Sequence, residues 1–214
     1  MSLLPSALAV LVAYLIGSLS FAILISRVVG LKDPRSYGSS NPGATNVLRG
    51  GHRPAAVATL ALDTLKGYLP VMAAYWLMPS QGWGVGTVAL VGLAAFAGHL
   101  WPVFHGFKGG KGVATAAGVI LALNPTLGLL TLLSFAIVTA FSRYVSLASI
   151  VAAVFAPFYE ILIWGGSPIA VVLLVIALLV IWRHMENIRR LIAGTESRLG
   201  SKTPPASPKP PAHH

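Results

Sequence analysis

Hydrophobic residues fall in long runs along this chain, separated by short polar stretches. Residues 3–26 carry no charge, and a helix of that length crosses the roughly 30 Å hydrocarbon core of a bilayer. No basic residue precedes Arg27. The run therefore reads as a permanent span, because a cleaved leader starts with a basic region. A polar stretch, 28–53, comes next. Pro54 opens a second apolar run, to about Met78, that holds Asp63 and Lys66. These two lie three residues apart, on one face of a helix. After an uncharged loop at 79–84, a third run covers 85–104 and contains His99. Residues 113–141 are apolar but interrupted by Asn124-Pro125. Runs at 145–164 and 169–182 complete the set, joined by Gly165-Gly166-Ser167-Pro168.

Charge decides how 113–141 fold. As one kinked span, that run puts the Arg-rich C-terminal stretch on the side opposite the basic first loop. As a hairpin turning at Asn124-Pro125, it gathers every Lys- or Arg-bearing connection on one side. Those connections are 27–53, the Lys108/Lys111 loop, Arg143 and the stretch from Arg183. The other side then has no Lys or Arg, and the positive-inside rule selects the hairpin. The expected fold is an all-α integral membrane protein with seven transmembrane helices, several of them short. Its N-terminus lies outside and its C-terminus is cytoplasmic. Residues 1–200 form one membrane-embedded domain. Residues 201–214, rich in proline and ending in His213-His214, read as a disordered cytoplasmic tail.

Composition agrees. Of 214 residues, 56% are hydrophobic and 9% charged, with mean hydropathy +0.79. A soluble domain carries roughly 25% charged residues. The absence of cysteine excludes a disulfide framework, a thiolate metal site and a cysteine nucleophile. The formal charge of +10 sits beside apolar spans. It points to membrane orientation and to anionic lipid or substrate, not to nucleic acid. No internal repeat is present, which argues against many transporter folds.

Three polar stretches share the basic face. The first is Gly38-Ser39-Ser40-Asn41-Pro42-Gly43-Ala44-Thr45-Asn46 with Arg49. It is rich in hydrogen-bond donors, and an arginine can grip phosphate through two parallel bonds. The second is Phe107-Lys108-Gly109-Gly110-Lys111-Gly112. Its glycines let backbone approach a ligand, and its two ammonium groups suit a dianionic phosphate at a helix start. It is not a P-loop, because Gly112 stands where that motif needs Ser or Thr. The third runs from His184 through Asn187 and Arg190 to Gly194 and Glu196. Drawn as a helix, it puts His184 and Asn187 on one face. The ordinary alternatives are a turn-rich loop, a flexible basic turn and a lipid-holding juxtamembrane helix. Convergence of all three on one membrane face favours a site for two phosphate-bearing substrates. His-x-Glu-x-x-His metal spacing and a Gly-x-Ser-x-Gly elbow are both missing. No metal and no protein nucleophile are therefore expected.

These stretches, with Gly98-His99, Val113-Ala114-Thr115, Asp63 and Lys66-Gly67, resemble the bacterial acyl-phosphate:glycerol-3-phosphate acyltransferases, the PlsY family. The resemblance runs from the first span to Glu196 and omits the proline-rich tail. It implies transfer of an acyl group from acyl phosphate to the 1-hydroxyl of glycerol 3-phosphate, giving 1-acyl-glycerol 3-phosphate at the start of phospholipid synthesis. It implies no cofactor and a location in the bacterial inner membrane with the site on the cytoplasmic face. A loose association with the enzyme that makes acyl phosphate is a further expectation. On this resemblance the stretch from Gly43 through Thr45 to Asn46, with the Gly109-Gly110 turn, holds the acyl phosphate, and Asn41, Lys111 and Gly112 are further substrate-binding residues. Ser39, Arg49, Lys108, His184 and Asn187 hold glycerol 3-phosphate. Lys108, His184, Asn187 and Asn46 are the expected catalytic set, supported by Asp63, Lys66, Arg190 and Glu196. Two proton acceptors stay open, the donor's own phosphate and His184. A transporter or flippase for a phosphorylated solute is the rival reading, and a lipid-binding scaffold is a third.

Overall fold

Ten α-helices and two short 3-10 turns account for most of residues 3–200, the part of the chain that the structure, a computed structural model, describes. The proposed tail at 201–214 lies outside the described residues. The helices are α1 (Leu3–Gly17), α2 (Phe21–Val28), α3 (Ala44–Arg49), α4 (Arg53–Gln81), α5 (Val85–Leu100), α6 (Val113–Leu123), α7 (Pro125–Ser142), α8 (Val145–Trp164), α9 (Pro168–Arg183) and α10 (Met185–Ile192).

Local chemistry sets these boundaries. Asn124 ends α6 and caps α7, its side chain accepting from the Leu127 amide at 3.2 Å, and Pro125 fills the first helical position. The chain then folds back so that Gly128 packs directly on Leu121. The two helices therefore lie side by side, as the hairpin requires. Ser167 and Pro168 start α9 in the same way. Gly82, in the left-handed region at φ 62°, stops α4.

The expected first span is not one helix. It breaks at Ser18-Leu19-Ser20 into α1 and α2, bent by 43°. A break inside an apolar layer leaves backbone carbonyls without partners. Here the Ser18 and Leu19 amides donate to Leu15 O and Ile16 O, each at 3.2 Å, and the Lys66 ammonium reaches across from α4 to Leu19 O at 2.6 Å. Uncharged sequence gave no sign of this break, because its compensating group lies far along the chain.

Among the described residues, three helical stretches, Val85–His105, Pro125–Ser142 and Val145–Trp164, are long and apolar enough to cross a membrane. Two bent pairs, α1 with α2 and α9 with α10, bring the number to five. Large apolar side chains such as Trp76, Phe141 and Leu162 point outward, as a lipid-facing surface requires. The core lies between α4, α5, α6 and α9, around Val71, Phe96, Leu100, Val119 and Leu173. Helices α4 and α6 approach most closely where Gly67 meets Thr115 O and Gly118 meets Thr64 O. Any Cβ at either glycine would overlap that backbone, so these residues fix the distance between two walls of the cavity described next.

Candidate active site

A cavity of about 430 Å³ opens at the polar end of the bundle and runs inward between α4, α6, α7, α8 and α9. Its mouth is polar and its depth apolar. Of the expected site residues, Ser39, Asn41, Gly43, Thr45, Asn46, Arg49, Lys111, Gly112, His184, Asn187 and Asp63 all line it. Three segments distant in sequence thus meet at one opening.

The glycine loop behaves differently from expectation. Gly109 N–H donates to Leu100 O and Gly110 N–H to His99 O, each at 3.2 Å. Both glycines are buried against the end of α5 and neither lines the cavity, so their amides form no phosphate cradle. Lys108 is exposed and also stays outside the cavity. The physical reason is the fold-back itself. It needs glycine at 109, where a Cβ would lie 2.6 Å from Leu100 O, and it aims Lys111 inward while Lys108 points out. Gly112, at φ 80°, then starts α6. The amides of Val113 and Ala114 belong to the first turn, which has no intrahelical acceptors, and both residues line the mouth.

Lys111 donates to Asn187 Oδ1. Asn187 Nδ2 donates to Glu196 Oε1 at 2.6 Å, Ser146 Oγ to the same oxygen at 2.8 Å, and Arg190 Nε to Glu196 Oε2 at 2.7 Å. Glu196 is the hub that fixes the third motif. Burial pushes its carboxyl up, but the bonds from Asn187, Arg190 and Ser146 outweigh burial and hold it below the usual range. Burial, followed by the Arg190 charge, pulls Lys111 down to about 8. His184 is not inside a helix. It sits at the joint between α9 and α10, where its Nδ1–H donates to Val180 O at 2.7 Å. Burial, then the neighbouring Lys111 charge, pushes it down to about 4. The ring is therefore neutral at pH 7. With Nδ1 as donor, Nε2 is an acceptor suited to a hydroxyl.

Asn46 holds the first loop in shape. Its Nδ2 donates to Pro34 O at 2.6 Å and Tyr37 O at 3.1 Å, and its Oδ1 accepts from Ser39 N at 3.0 Å. Those bonds commit both ends of the amide, which makes Asn46 an organiser of the wall. Arg49 is exposed at the rim. Beneath the mouth, Asp63 and Lys66 form the ion pair that their spacing predicts, at 2.8 Å and almost fully buried. Thr115 Oγ1 lies 3.2 Å from His99 Nδ1, and that ring packs on Gly110. The polar post under the loop thus spans α4, α5 and α6.

In the sequence Arg183 is only one of the basic residues flanking the last span. Its guanidinium donates to Gly109 O at 2.6 Å and Gly110 O at 3.1 Å, tying the end of α9 to the glycine loop. Its partners are main-chain carbonyls, which leave no residue-type signal. Ser146 leaves no signal either, lying in an apolar run 50 residues before its partner Glu196.

A family model described as glycerol-3-phosphate acyltransferase matches residues 7–194. The glycerol-3-phosphate acyltransferase of Albidiferax ferrireducens is 58% identical over 199 residues, covering 91% of this chain and 89% of the relative. That of Ralstonia nicotianae is 56% identical over 193 residues, covering 90% and 93%. Two crystal structures of PlsY (YgiH), an integral membrane glycerol 3-phosphate acyltransferase, have similar folds. The glycerol 3-phosphate form aligns at TM-score 0.85 and 40% identity, and the lysophosphatidic acid form at 0.83 and 39%. Each alignment covers 92% of this chain and 96% of the other.

Proposed function

The chain belongs to the glycerol-3-phosphate acyltransferase family, and from that premise we propose that it moves the acyl group of an acyl phosphate to the 1-hydroxyl of sn-glycerol 3-phosphate. The products are 1-acyl-glycerol 3-phosphate and phosphate. One observation carries this reading. A mouth set with Lys111, Arg49, His184 and Asn187 opens directly into a deep apolar cavity. That is the shape of a ligand with an anionic head and a hydrocarbon chain.

The donor is already a mixed anhydride, so catalysis needs positioning and anion stabilisation more than a protein nucleophile. Lys111 and Arg49 hold phosphate, joined by the first-turn amides of α6. Neutral His184 Nε2 accepts from the non-reacting 2-hydroxyl, which leaves the 1-hydroxyl proton free for the phosphate, and Asn187 holds Lys111 in place. The 1-hydroxyl oxygen bonds to the acyl carbon, the bond from that carbon to the phosphate oxygen breaks, and the 1-hydroxyl proton passes to the departing phosphate. With its affinity for protons lowered, His184 is a weak base, which favours the donor's phosphate as acceptor. Ser146 is a poor nucleophile, because the Glu196 carboxylate it faces already takes bonds from Asn187 and Arg190.

The protein sits in the bacterial inner membrane with seven spans, α1 and α2 counting as one, and its mouth on the cytoplasmic face. The clustering of Lys and Arg at the mouth end supports that orientation. A transporter reading lacks a polar path, because the deep end closes on Ile120, Ala156 and Leu173, all buried. The decisive assay gives purified protein acyl phosphate and glycerol 3-phosphate and follows lysophosphatidic acid. Product formation that depends on both substrates is expected. Intact acyl phosphate with no product overturns the reading.

A further inference from the structure

We propose that the deep end of the cavity measures acyl-chain length, with Ala156 as its floor and Glu160 as the stop behind that floor. The inference rests on the acyl-transfer reading above.

Three helices line the cavity from mouth to floor. Helix α8 descends from Ser146 through Ala152 to Ala156, and the facing wall runs from His184, just past the end of α9, through Ile176 to Leu173. Helix α6 descends from Val113 to Ile120. On α8 and α9 the path is roughly 15 Å at the helical rise of 1.5 Å per residue. The agreement of two antiparallel helices marks a real floor and not a ragged crevice.

The α8 face toward the cavity carries only small residues below Val145, whereas its outer face carries Phe155, Phe158 and Leu162. The cavity exists because those positions are small. One turn below Ala156 and on the same face stands Glu160, 3% exposed. Its Oε1 accepts from Ser167 Oγ at 2.9 Å, while Oε2 is buried without a partner. A hydrocarbon end pressed against that oxygen gives it no hydrogen bond and excludes any water that could. Glu160 lies outside the cavity lining, so only a chain that pushes past Ala156 meets it, and such chains are disfavoured.

A rival path exists. Leu60 of α4 and Leu132 of α7 both line the cavity and are 52% and 38% exposed. A chain leaving sideways between them would not be measured.

The test is the kcat/KM of the full-length enzyme across a series of saturated acyl phosphates from short to long. Ala156→Leu should lower kcat/KM for the longest donors by about tenfold or more and leave the shortest within about twofold. Ala152→Leu should move the cut-off shorter by roughly four methylenes, the rise of one helical turn. Glu160→Ala should raise activity on the longest donors by about fivefold, a gain that misfolding cannot produce. Chain-length profiles parallel to wild type in all three variants overturn the ruler and assign the chain to the gap between α4 and α7. A wild-type enzyme inactive with every acyl phosphate overturns the acyl-transfer reading and the ruler with it.

Discussion

Lys111 and Lys108 are the same residue type, three positions apart, with opposite fates. Lys111 reaches Asn187 inside the mouth, and Lys108 lies exposed outside it. Lys111→Ala should lower kcat/KM for glycerol 3-phosphate by about 10²-fold or more. Lys108→Ala should stay within about threefold, since an exposed charge contributes little. The two purified variants, assayed side by side, check the order, and equal losses would return Lys108 to the site. Lys111 also predicts a pH effect. Its folded-state value lies near 8, below that of a free lysine, so it is charged below that pH and loses its charge as pH rises through it. The KM for glycerol 3-phosphate should climb above about pH 8, and Lys111→Arg should flatten that limb if the variant still binds. A KM flat from neutral to alkaline pH in the wild type contradicts the role. Sequence showed that lysines and glycines gather here but not which lysine faces the site. That choice depends on how the loop folds back over His99 and Leu100.

At the scale of elements, the site is held by ties between helix ends. Arg183 binds the end of α9 to the carbonyls of Gly109 and Gly110, and Glu196 binds α10 to Ser146 on α8. The next residue after Arg183 is His184, so a shift of the loop moves Lys111 and His184 relative to each other. A misplacement of about 1 Å costs on the order of 10²-fold in rate. Arg183→Gln should lower kcat/KM by roughly 10- to 100-fold, and free guanidinium ion should partly restore an Arg183→Ala enzyme. Wild-type kinetics in Arg183→Gln would mean that the Gly109 and Gly110 amide bonds suffice alone. The helices themselves were largely legible. The apolar runs, Asn124-Pro125 and the Asp63/Lys66 spacing all translate into observed elements. The break at Ser18-Leu19-Ser20 and the Arg183 strap were not, because each is completed by a main-chain carbonyl whose partner lies far away in sequence.

For the whole molecule, charge distribution supports the proposal that the site opens at one face of the membrane. Lys32, Arg49, Arg53, Lys108, Lys111 and Arg143 all lie in or beside the connections at the mouth end, and the opposite connections at 82–84 and 165–167 carry no Lys or Arg. Cations next to spans are retained on the cytoplasmic side. Both phosphate substrates would then meet their site from the cytoplasm, with the chain descending between helices into the hydrocarbon layer. The absence of cysteine makes this directly measurable, since one introduced thiol is a unique reporter. In intact cells, Gln81→Cys should react with a membrane-impermeant maleimide. Lys32→Cys, at the mouth end, should react only after lysis. Labelling of Lys32→Cys in intact cells, with Gln81→Cys protected, would invert the molecule and put the mouth on the side without cytoplasmic substrate. Labelling of both from outside would put residues 32 and 81 on one side, which an α4 spanning the bilayer between them forbids.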